Sequence, residues 1–197
     1  MHPLFDALAA RLATRAPGAL LLPDVALREA AVLVPLVLHD GQPHVLFTKR
    51  PSTLRHHAGQ YSFPGGSRDP EDPSLLGTAL RETREELGID VSDVRVLGAL
   101  DAVPTVGGSG FRIHPFVGVL PPGLAYAPNP AEVEFIVEVP LSHLHVPGFH
   151  RTESHSSRGV VYDVDFYTYE THIIWGATGR ILRDLLGLTA ELMAAPG

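Results

Sequence analysis

The chain predicts an α/β or α+β fold, with strands and helices interleaved around one core. Three observations carry this. Residues 29–38 and 43–49 read as two strands joined by Asp40-Gly41, a hairpin signal. A capped helical pattern follows at 73–87, and a second closes the chain at 177–188. Strand-like runs fill the interval between these helices, and no repeat or low-complexity stretch divides the chain. Its 197 residues, 45% hydrophobic and 19% charged, suffice for one domain with a full core.

Along the chain, residues 3–15 have helical spacing, with Leu4, Phe5, Leu8, Ala9 and Leu12 on one side. Pro17 and Pro23 break that pattern, so residues 1–28 read as an N-terminal helical arm that docks on the domain or on a partner. The apolar run at 32–38 is too short for a membrane span, which needs ~18 residues, and reads as a buried strand. Further strands are expected near 94–101, 112–120 and 132–139. Pro104-Thr105-Val106-Gly107-Gly108-Ser109-Gly110 reads as a flexible hairpin loop between the first two. A short helix is expected at 141–145, and strands at 160–163 and 165–175.

Composition excludes several functions. No cysteine is present, so there is no disulfide, thiolate metal site or cysteine nucleophile, in keeping with a reducing cytoplasm. A net charge of −7 argues against a nucleic-acid groove, which needs a basic surface. The N-terminus lacks a signal peptide, no segment predicts a membrane partner, and a homodimer is left open. Fourteen of the fifteen basic residues are Arg, which suits forked phosphate contacts but reads more simply as a genome-wide bias.

The most informative stretch is Arg81-Glu82-Thr83-Arg84-Glu85-Glu86-Leu87-Gly88, one short loop after Phe63-Pro64-Gly65-Gly66. With Asp72 as N-cap, Pro73 as first residue and Gly88 as stop, Leu76, Leu80, Thr83 and Leu87 share one helix face at ~100° per residue. Glu82, Glu85 and Glu86 share the opposite face, and like charges at that spacing destabilise a helix. A solvated acidic face is the ordinary reading of such a run. The neighbouring glycines, which let backbone approach a ligand closely, favour a Mg²⁺ or Mn²⁺ site instead. Arg81 can pair with Glu85 one turn on and hold a carboxylate in place.

This stretch resembles the Nudix box, in which Gly, five residues, Glu and seven residues precede Arg-Glu-aliphatic-x-Glu-Glu-x-Gly-aliphatic. The second half matches through Ile89, with Thr83 at the aliphatic position. The first half is one step longer, so its early acid is either Glu71 or Asp72. Upstream, Leu46-Phe47-Thr48-Lys49-Arg50-Pro51-Ser52-Thr53-Leu54-Arg55-His56-His57-Ala58-Gly59-Gln60-Tyr61-Ser62-Phe63-Pro64-Gly65-Gly66 is similar to the signature of the coenzyme A pyrophosphatase branch. Every spacing of Leu-Leu-Thr-x-Arg-(Ser/Ala)-x3-Arg-x3-Gly-x3-Phe-Pro-Gly-Gly is kept, with Phe47 and Pro51 as departures. Ile174-Trp175-Gly176-Ala177-Thr178 also resembles that branch.

The resemblance implies a mixed sheet sandwiched between helices in a hydrolase domain over 29–197. It also implies metal-dependent cleavage of the diphosphate of coenzyme A or its thioesters, to 3′,5′-ADP and a 4′-phosphopantetheine species. The expected metal ligands are Glu82, Glu85 and Glu86, and the catalytic residues Arg81, Glu82 and Glu85. Substrate contacts are expected at Arg50, Arg55, His57, Gly59, Gly65 and Gly66. The general base is Glu82 or a later acid, Glu132, Glu134 or Glu153, of which the first two are placed at the start of an alternating strand. Rival readings are another Nudix substrate (ADP-ribose, NADH or a nucleoside triphosphate) or a non-catalytic nucleotide-binding module. His143, His145, His150 and His155 match no common zinc spacing and read as a loop over the substrate, and Trp175 reads as packing.

Overall fold

The computed structural model describes residues 2–18, 27–54, 57–105, 110–157 and 160–194. In chain order the elements are α1 (Pro3–Thr14), β1 (Arg28–His39), β2 (Gln42–Lys49), β3 (Tyr61–Ser62), β4 (Gly65–Ser67) and α2 (Leu75–Leu87). They continue as β5 (Arg95–Ala99), β6 (Val103–Pro104), β7 (Phe111–Val119), β8 (Phe135–Pro140) and α3 (Leu141–Leu144). The chain ends with β9 (His150–Ser157), β10 (Val160–Tyr169), β11 (His172–Trp175) and α4 (Gly176–Ala194).

The central strand is β1. It pairs in parallel with β7 from Arg28↔Phe111 to Leu36↔Val119. Along its other edge the partner changes: Ala30, Ala31 and Val32 pair with β4, whereas Leu36 to His39 pair with β2. The β1–β2 turn puts Asp40 and Gly41 at positive φ (49° and 76°), as a two-residue hairpin requires. With β3, β5, β6 and β8 added, these strands make one mixed sheet, and β9–β10–β11 form a second, antiparallel one.

Both faces of β1 are covered, which explains its unbroken apolar run. Leu33 and Val37 pack with Leu46 and with Leu87 of α2 on one side. Val34 and Leu36 pack on the other with α1 (Phe5, Leu8) and α4 (Ile181, Leu182, Leu185). The mixed sheet therefore lies between helices, and the predicted fold class stands. The apolar side of the N-terminal helix is a full part of this core.

Three expectations are corrected. Helix α2 starts later, with Ser74 as its N-cap accepting from Gly77 N–H at 3.0 Å, while Gly88 (φ 65°) ends it as expected. The segment read as a loop over the substrate contains β9, paired with β10 from Ser157↔Val160 to His150↔Tyr167. Glu132 and Glu134 precede β8 rather than beginning it. Positions 106–109 of the glycine-rich hairpin loop lie outside the described residues.

Candidate active site

The site begins with the glycine turn. Gly65 and Gly66 do not form a free loop but enter the sheet against Val32 and Ala31 of β1. A Cβ on Gly65 would strike the Ala31 carbonyl oxygen. One on Gly66 would lie 2.5 Å from the Glu82 carboxylate carbon. Only bare backbone fits between β1 and α2 here, and Glu82 is thereby seated on the glycine floor.

The loop before β8 supplies a third acid. Ala127 N–H donates to Leu87 O at 2.9 Å and Asn129 N–H to Glu86 O at 3.0 Å, so this loop wraps the C-terminal turn of α2 and satisfies its carbonyls. Glu132 N–H then donates to Asn129 O at 3.0 Å. The result places ligand oxygens of Glu82, Glu86 and Glu132 within 4.8 Å of one another. Glu86 is 3% exposed, and its Oε2 is buried with no hydrogen-bond partner. Burial first, then the Glu132 and Glu82 carboxylates, pushes its pKa up to about 8, against the pull of Arg50 and the Gly65 N–H. Glu82 is also raised, chiefly by burial, with Arg81 opposing. An all-oxygen, anionic donor set with an orphaned buried oxygen fits a hard divalent cation such as Mg²⁺ or Mn²⁺.

On the outer side of α2 every charge is matched. Arg81 Nε donates to Asp72 Oδ1 at 2.9 Å, Nη1 to Glu82 Oε1 at 3.0 Å and to Glu85 Oε2 at 3.1 Å. Asp72 also accepts from Thr78 Oγ1 at 2.8 Å and from the Asp69 N–H at 2.9 Å. The Arg81 guanidinium, with these donors, holds the Asp72 carboxyl well below the usual range. Between the two candidates for the early acid, Glu71 is exposed and Asp72 is buried and clamps Arg81. Its role is thus to orient Arg81 from outside the helix, not to cap it.

The remaining expected residues divide. Glu85 stands apart from the three-carboxylate cluster: it is exposed and faces Arg81 and Arg84. Glu134 is tied to Lys49 at 3.0 Å, and Glu153 on β9 to Arg151 at 2.7 Å. Arg50, His57, Gly65 and Gly66 line a cleft of about 460 Å³. The Nε of Arg50 is buried and unpartnered. His57 meets Gln60 through Nδ1 at 2.8 Å, and Gly59 (φ 68°) donates to Arg50 O at 3.1 Å, closing the loop beneath the cleft. Arg55 lies outside the described residues.

The far wall of the cleft is Trp175, Gly176, Ala177 and Thr178. Trp175 is 41% exposed, so the packing reading fails. Alternation places Ile174 in the core and Ile173 and Trp175 on the other face, but three consecutive apolar residues gave the sequence no way to choose between the two faces. Among the four histidines, His150 bonds Asp165 at 3.0 Å and His145 meets Thr189 at 3.0 Å, each a separate contact.

Comparison with known proteins fits this geometry. A NUDIX domain family model matches residues 27–159. The Photorhabdus laumondii protein named "Uncharacterized Nudix hydrolase NudL" is 47% identical over 159 residues, 80% of this chain and 83% of its own. An Escherichia coli protein of the same name is 42% identical, over 80% of this chain and 81% of its own. Of solved structures, the Nudix hydrolase RenU of M. smegmatis superposes with a TM-score of 0.50 at 22% identity, over 59% of this chain and 73% of that one. A MutT/nudix family protein of Enterococcus faecalis does so at 0.55 and 16%, over 94% and 69%. These two structures share the fold, a mixed sheet between helices. The chain belongs to the Nudix hydrolase family, which acts on nucleoside diphosphate derivatives and generally uses divalent metal ions.

Proposed function

We propose that this hydrolase cleaves the diphosphate of coenzyme A or its thioesters, releasing 3′,5′-ADP and a 4′-phosphopantetheine species. The observation that carries this is the meeting of a cleft and a carboxylate cluster at one glycine floor: Gly65, Gly66 and Arg50, whose Nε is unpartnered, line the cleft, and the Glu82 carboxylate of the Glu82–Glu86–Glu132 cluster abuts Gly66. The upstream signature, whose Arg50 and Gly65-Gly66 line that cleft, supports coenzyme A over other diphosphates.

In this reading Glu82, Glu86 and Glu132 would hold Mg²⁺ or Mn²⁺, and Glu85 stays with Arg81 outside the cluster. The bound ion supplies charge neutralisation at the diphosphate and a lowered pKa for its water. Arg50 forks onto phosphate oxygens, and the backbone at Gly65-Gly66 lets them approach closely. Water attacks one phosphorus in line, the bond from that phosphorus to the bridging oxygen breaks, and a carboxylate accepts the water's proton. Glu82 is the base we favour over Glu132, because it abuts Gly66 at the cleft and Arg81 fixes its orientation, while Glu134 and Glu153 lie outside the carboxylate cluster.

Product analysis decides the matter. With Mg²⁺ or Mn²⁺, coenzyme A should be consumed faster than ADP-ribose, NADH or a nucleoside triphosphate. Faster cleavage of one of those three assigns the site to that substrate, and binding without cleavage of any makes the chain a nucleotide-binding module.

A further inference from the structure

We infer that Trp175 and Arg180 form the nucleoside end of the cleft, the indole as a platform for the base and the guanidinium as the reader of the ribose 3′-phosphate. This deepens the proposed function and rests on it.

Three observations converge. The Trp175 ring lies parallel to Phe166, with centroids 5.8 Å apart and planes 7° apart, and Arg151 stacks on Phe166 at 4.5 Å. An indole braced in this way yet 41% exposed presents fixed π surface to the cleft. Second, Trp175, Gly176 and Ala177 are a shared wall. On one side is the main cleft with its glycine floor; on the other is a hollow of about 150 Å³ bounded by Arg180, His155 and Asp163. A base laid on the indole would therefore carry its ribose substituents across this wall into the hollow. Third, the buried acid there is already paired, while Asp163 is exposed and meets only a hydroxyl. Asp165 takes Arg183 at 2.8 Å and His150 at 3.0 Å, and Asp163 accepts from Ser154 at 2.7 Å. Arg180 makes no hydrogen bond or ion pair with another described residue. A guanidinium without a partner among the described residues suits a phosphate dianion, which it can meet with two parallel N–H donors.

Trp175 is the sole tryptophan, so its fluorescence reports this end of the cleft alone. Titration of the protein with 3′,5′-ADP and with 5′-AMP should quench it, with at least about tenfold tighter binding of the bisphosphate. Arg180→Ala should bring the two affinities together, and Arg180→Lys should keep part of the gap. In turnover, Arg180→Ala should likewise collapse the kcat/KM preference for coenzyme A over its 3′-dephospho form. Trp175→Ala should raise KM for both while keeping their ratio. A bisphosphate preference that survives Arg180→Ala, or binding without quenching, overturns this assignment and leaves the coenzyme A reading intact. A wild-type protein that binds both nucleotides equally, or cleaves both coenzymes equally, also overturns this assignment, whereas the proposed function itself fails only if ADP-ribose, NADH or a nucleoside triphosphate is cleaved faster than coenzyme A or none is cleaved.

Discussion

The two flanks of α2 use the same residue type to opposite ends. On the outer flank, Asp72 and Glu85 are matched by Arg81, and Asp72 is held below the ordinary carboxylate range. On the inner flank Glu82, Glu86 and Glu132 crowd together, Arg81 reaches only Glu82, and Glu86 is pushed up to about 8. The first arrangement is finished and stabilises the helix that carries it. The second holds repulsion that protonation of Glu86 relieves below about pH 8 and a cation relieves above it. Acidity alone does not mark a metal site; a carboxylate whose neighbours are other carboxylates does.

The comparison breaks most sharply at Glu86. Glu86→Gln should lower kcat by at least about a hundredfold, since metal-assisted charge stabilisation is worth several kcal/mol. The same change should raise the melting temperature of the metal-free protein near pH 8, because it removes a buried charge. A variant that loses stability together with activity would contradict the stored repulsion.

Next in size is the matched flank. Arg81→Gln should cost about ten- to a hundredfold in activity, as expected when a group that orients a ligand is lost. It should also change stability in acid. Asp72 has its pKa lowered by folding, so its contribution is present above the ordinary carboxylate range and fades as pH falls below it. Without Arg81 the Asp72 pKa moves back toward the ordinary value, so this acid-dependent contribution should shrink, which acid titration followed by circular dichroism would detect.

The inner flank behaves with the opposite sign. Glu86 has a folded-state pKa of about 8 against an ordinary 4.5, so between those values the native state binds more protons than the unfolded one. Metal-free stability should fall as pH rises from about 4.5 to about 8, by an amount on the order of a few kcal/mol. Added Mg²⁺ should raise the melting temperature more at pH 8 than at pH 6. The smallest effect is expected at Glu191, which pairs with Arg11 at 2.7 Å on an exposed surface. Glu191→Gln should leave turnover within about twofold, as surface ion pairs contribute little.

Periodicity made the sandwich legible. The strands at β1, β2 and β7 and the helices α1, α2 and α4 follow from spacing, caps and turns. The short strands β3, β4 and β6 were not legible, because two or three residues have no period to read. On α2, Glu82 and Glu86 could be read off the helix. That Glu132 rather than Glu85 completes the inner cluster depends on backbone bonds from Ala127 and Asn129 to the end of α2, which no local pattern announces. Asp72 was misread for a related reason: an acid just before a helix resembles a cap until its partner nine residues on is known. Trp175 was misread by residue type, because Ile173 and Ile174 on its strand are both apolar and only the structure shows which of them is buried.

The glycine floor has a consequence in time. Its backbone is stitched to β1 by Leu33 N–H to Pro64 O and Arg68 N–H to Glu29 O, both 2.9 Å, and β1 is flanked by strands on either edge. Such amides exchange with solvent only when the whole domain opens, so they should be among the slowest in the chain. In the proposed reading, the surface on which the diphosphate rests then keeps its shape through every catalytic cycle. Substrate must arrive and products depart past the other walls, where Arg50, His57 and Trp175 stand.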